Sequence, residues 1–291
     1  MHKDYVIYGD TDGLYVNINQ FILDNIENKD KWNILPDDKK IFYIQKLSTV
    51  IEEYVNNKSY REMQRKCYNS AVEDFRIKFK QEIIAKSALF VKKKKYAYWC
   101  VNEESVPVDR ISVTGLEIVR SDSSEAVRIK LKDIMSMILK NFSEGDLIKK
   151  VNQYKKELRN VFPEEIAANI GVNNIDKYIK DGKAIKGTPW HVKGVANYRF
   201  LLKELKIEDK YEDIYEGTKA RVIYLKKNMF GIDVISFTRW PKEFDSYIEI
   251  DTEKMIEKFF VKKVEILLSP MGKEYILNGN VSSISLSTFF D

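Results

Sequence analysis

Asp10 and Asp12 stand one residue apart in the stretch Tyr5-Val6-Ile7-Tyr8-Gly9-Asp10-Thr11-Asp12-Gly13-Leu14-Tyr15-Val16. On extended backbone, side chains at i and i+2 point the same way, so the two carboxylates can converge on one bound cation. The plainer account is that Asp simply suits turns. Either way the backbone must fold tightly here. Runs of β-branched and aromatic residues flank a polar tip, and Asp12-Gly13 signals a hairpin turn because Gly tolerates positive φ.

Few other chemistries are open to this chain. Its two cysteines, Cys67 and Cys100, have neither metal-ligand spacing nor a disulfide framework, and its only histidines are His2 and His191, which argues against a zinc site. With 291 residues, 44% apolar and 32% charged, the composition fits a soluble protein of one or two domains. There is no long apolar run and no signal-like N-terminal stretch, so no membrane partner is expected and the expected location is the cytoplasm. The net charge of +5 is unevenly spread, since residues 58–95 hold 12 Lys/Arg against 4 Asp/Glu. A concentrated basic stripe is an electrostatic footprint for a polyanion, nucleic acid above all, although most charge runs are solvated faces.

The elements around these residues are expected to be mixed α and β. Pro36-Asp37-Asp38 reads as a helix start, and Ile41, Ile44, Leu47, Ile51, Tyr54 and Val55 keep near-helical spacing, which predicts a long helix with a buried apolar face. Asn56-Asn57 is expected to break it, with a further helical segment beginning at Tyr60. Residues 76–100 read as two strands joined near Lys86-Ser87, the second leading into Lys92-Lys93-Lys94-Lys95-Tyr96. Four lysines suit a strand whose open face meets phosphates, with Tyr96 and Tyr98 against sugars or bases. A nuclear-localisation signal is the other reading of such a run, but those signals prefer disordered segments. Residues 102–110 read as a short polar connection, and a helical pattern capped by Ser123 or Ser124 runs from about 126 to 155. A tight turn is predicted at Lys186-Gly187-Thr188-Pro189-Trp190-His191-Val192-Lys193-Gly194, where Lys186, His191 and Lys193 are suited to duplex backbone; a plain surface loop is the alternative. A helix over 196–205, strands over 217–225 and 231–237, and a helix capped by Asp251 or Thr252 follow.

These motifs resemble family B DNA polymerases, in the family's order. Tyr8-Gly9-Asp10-Thr11-Asp12 is similar to palm motif C, with Gly13 where the family has Ser. Lys93-Lys94-Lys95-Tyr96 is similar to the KKRY-type motif, with Lys95 in place of Arg. Residues 114–122, Thr114-Gly115-Leu116-Glu117 onward, resemble the GLE segment at the palm-to-thumb junction, and residues 186–194 resemble the phosphate-gripping thumb segment of T-even-type phage polymerases. The terminal Leu286, Phe289 and Phe290 are similar to the peptide with which such phage polymerases dock on a sliding clamp; intramolecular packing is the other account of that tail.

The resemblance implies an α+β chain: the C-terminal part of a palm over residues 1–115, antiparallel strands with helices, then a mainly helical thumb with a small β element over 116–282, and a clamp-binding peptide over 283–291. Asp12 would bridge the metals of a two-Mg²⁺ site, with Asp10 and Glu82 as catalytic neighbours. Lys93, Lys94, Lys95, Tyr96, Gly115, Lys186, His191 and Lys193 would bind primer–template DNA. No DxxSLYPS segment, no KxxxNSxYG helix and no exonuclease carboxylates precede motif C in this sequence. The expectation is therefore one half of a split, phage-type polymerase, inactive without an N-terminal partner that carries the exonuclease, motif A and fingers and binds dNTP. The expected setting is then the cytoplasm of a bacterial host. The rival expectation is a non-catalytic factor, descended from a polymerase, that holds DNA and binds the clamp.

Overall fold

The hairpin at the start of the chain closes one residue earlier than its sequence suggests. In the computed structural model, which describes residues 3–11, 13–67, 77–116 and 123–277, β1 (Val6–Asp10) pairs antiparallel with β2 (Gly13–Val16) so that Asp10 faces Gly13. Thr11 takes the left-handed φ of 47°, while Gly13 is the first residue of β2. A two-residue hairpin loop needs positive φ inside the loop, not after it.

The residues fall into two units, the first drawn from 1–88 and 98–112 and the second from 89–97 and 113–291. In the first unit, α1 (Ile18–Asn25) and α2 (Lys29–Asn33) are capped by Asn17 and Asn28, whose side chains accept from the amides of Gln20 and Lys31. Trp32 is buried and donates from Nε1 to Asn19 at 2.8 Å. As expected, α3 (Asp37–Tyr54) begins just after Pro36. It does not end at Asn56. The helix widens into a π-helical turn over Val55–Ser59 and continues as α4 (Tyr60–Cys67). Asn56 is occupied elsewhere: its amide donates to the Phe79 carbonyl at 2.8 Å and accepts the Phe79 N–H at 2.7 Å. Nor is the apolar face of α3 a core, because none of its residues is buried. Periodicity reports that a face is apolar and is silent on what covers it.

A three-stranded sheet of order β3-β4-β5 follows, made of β3 (Ile83–Lys92), β4 (Lys95–Glu103) and β5 (Val106–Thr114). It corrects three expectations. Residues 77–82 are not part of a strand, and β3 runs straight through Lys86-Ser87. Lys86 causes no break because its ammonium pairs with Asp37 and lies 5.0 Å from the centre of the Trp99 ring. Lys93-Lys94 form the β3–β4 turn, with Lys94 at φ 60°, so only Lys92 and Lys95 are strand residues. The supposed polar connection over 102–110 is instead strand on both sides of a turn at Glu104 and Ser105, whose φ values are 46° and 71°. Its charges are met across that turn, Arg110 with Glu103.

The second unit is larger and better packed. Ser124 caps α5 (Glu125–Leu139), as the sequence indicated, and Ser143 caps α6 (Glu144–Arg159). The single helical stretch expected to residue 155 is therefore two helices, separated where Asn141 turns left-handed at φ 59°. Leu131, Ile134 and Met135 of α5 and Ile148, Val151 and Leu158 of α6 are buried. After α7 (Pro163–Ile166), β6 (Ala168–Gly171) begins a second sheet; α8 (Ile175–Tyr178) and a small hairpin of β7 (Ile179–Lys180) and β8 (Lys183–Ala184) precede α9 (Trp190–Glu204). The expected strands are β9 (Lys219–Tyr224) and β10 (Val234–Phe237), giving the order β10-β9-β6. Asp251 caps α10 (Thr252–Ile256), which passes through a π-helical turn at Glu257–Val261 into α11 (Lys262–Leu268).

Helix α9 lies directly on β10 at Gly194. A Cβ there would sit 2.3 Å from Ser236 Oγ and 2.7 Å from the Ser236 amide nitrogen, while Ser236 Oγ donates to the His191 carbonyl at 2.7 Å. Gly194→Ala is expected to cost about 1–3 kcal/mol of stability by forcing helix and strand apart. Urea unfolding with an unchanged midpoint would contradict this packing.

Candidate functional site

Asp10 ends β1 half-buried, its carboxylate accepting from the Tyr8 hydroxyl at 3.3 Å and from Thr11 Oγ1 at 3.2 Å. Asp12 lies outside the described residues. The aromatic side of the hairpin stays within the first unit. Tyr15 contacts Tyr8 and also the buried Tyr98 of β4, with ring centroids 6.0 and 6.1 Å apart. Among the described residues, nothing lies within 4 Å of a Cβ placed on Gly13, so their packing does not require glycine there.

Glu82 is exposed and sits one residue before β3. Its approach is set by residues that the sequence gave no reason to connect with it. Asn56 grips the backbone of Phe79, Glu52 accepts the Gln81 N–H, and the Glu82 carbonyl accepts the Glu104 N–H at 2.8 Å. Lys80 pairs with Glu104 at 3.1 Å across the same segment. These partners are 20 to 30 residues apart in sequence, with no local pattern linking them. Among the described residues, no three His, Cys, Asp or Glu side chains gather as a metal-binding group. Asp10 and Glu82 are nonetheless hard oxygen donors of the class that Mg²⁺ takes.

The lysine turn has a defined support. Lys93 and Lys94 are exposed, Lys95 and Tyr96 are half-buried, and the Tyr96 ring lies 5.6 Å from that of Phe90. Gly115, just past β5, has φ +62°, and a Cβ there would fall 2.0 Å from the Lys94 carbonyl oxygen. The close backbone approach that Gly115 permits is thus made to the chain's own lysine turn.

The turn expected over 186–194 ends at Pro189, because α9 begins at Trp190 and not at 196, so His191 and Lys193 are helical and only Lys186 lies before the helix. Lys186 is exposed, next to Gly187 at φ +84°. Lys193 is engaged with Asp233 at 2.7 Å. His191, in the first turn of α9, is half-buried, and its Nδ1 has no hydrogen-bond partner among the described residues. Burial holds its pKa below the ordinary 6.5, so the ring is neutral at pH 7 and can offer a phosphate an N–H but not a charge. Beside it, Trp190 stacks on Tyr224 at 5.5 Å, Tyr224 on Phe259 at 6.0 Å, and the Lys254 ammonium lies 4.6 Å from the centre of the Tyr224 ring. This stack joins three separate elements, so no sequence period could reveal it. Leu286, Phe289 and Phe290 lie outside the described residues.

Comparison with known proteins points to the same family. The family "DNA polymerase family B" matches residues 48–231. The DNA-directed DNA polymerase of Enterobacteria phage T4 is 26% identical over 293 residues, covering 94% of this chain and 31% of that protein. That of Escherichia phage RB69 is 26% identical over 290 residues, covering 93% of this chain and 31% of its own length. A DNA polymerase of Thermococcus gorgonarius is 30% identical over 190 residues, covering 64% of this chain and 22% of that protein. The chain thus spans about a third of the length of the phage relatives it matches. Since the matched family occupies residues 48–231 of 291, well over half of the sequence, this chain belongs to family B of the DNA polymerases.

Proposed function

We propose that this chain supplies the C-terminal palm and the thumb of a DNA-directed DNA polymerase, whose active site is completed by an N-terminal polymerase half. The observation that carries the reading is the end-to-end match of 94% of the chain to only 31% of a phage polymerase. In this reading residues 1–115 belong to the palm, 116–282 form the thumb, and 283–291 tether a sliding clamp through Leu286, Phe289 and Phe290. Asp12 would hold the metal ions, with Asp10 and Glu82 as its catalytic neighbours. Two bound Mg²⁺ ions would stabilise charge on the attacking and leaving oxygens of nucleotidyl transfer, which requires carboxylates from both sides of the pair. This chain brings one side.

The remaining residues act on the duplex. Lys93 and Lys94 meet phosphates from an exposed turn, Tyr96 packs near the primer, and Lys186 reaches duplex held by the thumb. Lys193 does the same once it leaves Asp233, and His191 adds a neutral N–H. The substrates are primer–template DNA and dNTPs, and the setting is the cytoplasm of a bacterial host. Among the described residues, no helix is long and apolar enough to cross a membrane.

The test is primer extension with Mg²⁺ and four dNTPs. The chain is assayed alone, then with a separately expressed polypeptide comprising the part of the phage T4 polymerase outside the matched third. Synthesis only with both is the expected result. Synthesis by this chain alone would overturn the divided site. Silence in both, with duplex binding retained, would favour a non-catalytic DNA-holding and clamp-binding role.

A further inference from the structure

Residues 77–82 lead up to the Glu82 carboxylate without belonging to a strand, so no strand ladder sets their register. Burial alternates along 79–83: Phe79, Gln81 and Ile83 are half-buried, while Lys80 and Glu82 are exposed. In a stretch of period two, a slip by one residue exchanges the two sides and would turn the carboxylate inward. The backbone groups that resist such a slip are held from elsewhere in the unit. Asn56 occupies both polar groups of Phe79, donating to its carbonyl at 2.8 Å and accepting its N–H at 2.7 Å. Glu52 accepts the Gln81 N–H, and the Glu82 carbonyl accepts the Glu104 N–H at 2.8 Å. Lys80, two residues before Glu82 on the same exposed side, is paired with Glu104 at 3.1 Å. Among the described residues the Glu82 carboxylate itself has no hydrogen-bond or ion-pair partner. The backbone is fastened and the acid is left available.

The clamp sits where the helix geometry changes. Glu52 is in the last turn of α3, and Asn56 lies within the π-helical turn over Val55–Ser59. Asparagine is a poor helix former, and π-helical turns are rare and recur at functional sites. Here the irregular turn carries a side chain that satisfies two backbone groups of the segment before Glu82. We infer that Asn56 and Glu52 are positioning residues for nucleotidyl transfer, fixing the register of residues 79–82 and so holding the Glu82 carboxylate where it acts. The inference rests on the reading of Glu82 as a catalytic neighbour of Asp12. Neither residue touches substrate. A functional side chain must be held within about 0.5 Å of its productive place, and a segment outside any strand meets that demand only through such supporting bonds.

The test joins a measurement without turnover to one with it. In the full chain by itself, with no metal or partner added, Asn56→Ala is expected to speed amide exchange at Phe79 and Gln81 about 10-fold, leaving β3 unchanged. In primer extension by the chain combined with the separately expressed part of the phage T4 polymerase, the same variant should lower kcat about 10-fold. The KM for primer–template should stay the same. Added to Glu82→Gln, it should cause no further loss, because both changes act through one carboxylate. Glu52 gives a second case: Glu52→Ala should lower kcat, whereas Glu52→Gln, whose amide oxygen still accepts the Gln81 N–H, should retain it. If Asn56→Ala loses its far-ultraviolet circular dichroism, the two Glu52 variants decide the question. Unchanged kcat in Asn56→Ala, or a loss that adds to that of Glu82→Gln, would overturn the inference. Failure of the functional reading looks different: the unsubstituted pair would be silent in primer extension while exchange at Phe79 still rose in Asn56→Ala, and the inference would fall with it.

Discussion

Asp12→Ala is expected to lower primer extension by the reconstituted pair by at least about 10³-fold while leaving duplex affinity unchanged. A carboxylate that bridges two cations acts mainly in the transition state, where charge builds on the phosphoryl oxygens. Metal stabilisation of that charge amounts to several kcal/mol, and each 1.36 kcal/mol is a factor of ten in rate. The loss should therefore appear in kcat and not in the KM for primer–template. Asp12→Asn keeps the shape and removes the charge, and should fall nearly as far. Retained synthesis by either variant would remove Asp12 from the chemistry and, with duplex binding intact, would leave the hairpin a structural turn.

Gly115→Ala is expected to act on DNA binding without touching DNA. The added methyl would fall 2.0 Å from the Lys94 carbonyl oxygen, at a residue whose φ is +62°. Left-handed backbone costs an alanine about 1–2 kcal/mol, and the overlap with a backbone atom adds about 1–3 kcal/mol unless the lysine turn moves. The turn, being exposed, moves. If Lys93 and Lys94 each neutralise a phosphate, displacing them should reduce the slope of log K against log salt by about 2. Fluorescence anisotropy of labelled primer–template across 50–200 mM salt reads this directly. The discriminating variant is Lys93→Ala, Lys94→Ala. Combined with Gly115→Ala it should show no further loss of affinity, because both changes remove the same contacts. A wild-type slope for Gly115→Ala would sink this positioning role, and additive losses would mean that Gly115 acts elsewhere.

How far the sequence reached differs from place to place. Ser124 and Asp251 as caps, the start of α3 behind Pro36, and strands β9 and β10 were legible because each depends on neighbours a few residues away. The motif order in turn identified the family. Where the sequence misled, a distant partner had taken over a local signal. Asn56 looked like a helix breaker until its amide was found on Phe79, and Lys86 looked like an interruption until Asp37 and Trp99 were found around it.

The sequence by itself determined the carboxylate pair at Asp10 and Asp12, the basic character of residues 58–95, the mixed α and β composition and the family. These depend on residue type and spacing alone. Only the tertiary structure decided that Lys93 and Lys94 form a turn that Gly115 approaches closely, that Lys193 is engaged with Asp233, and that no residue of α3 is buried. Periodicity fixes which side chains share a face, because that follows from backbone geometry within one element. Which face is covered depends on elements far away in sequence.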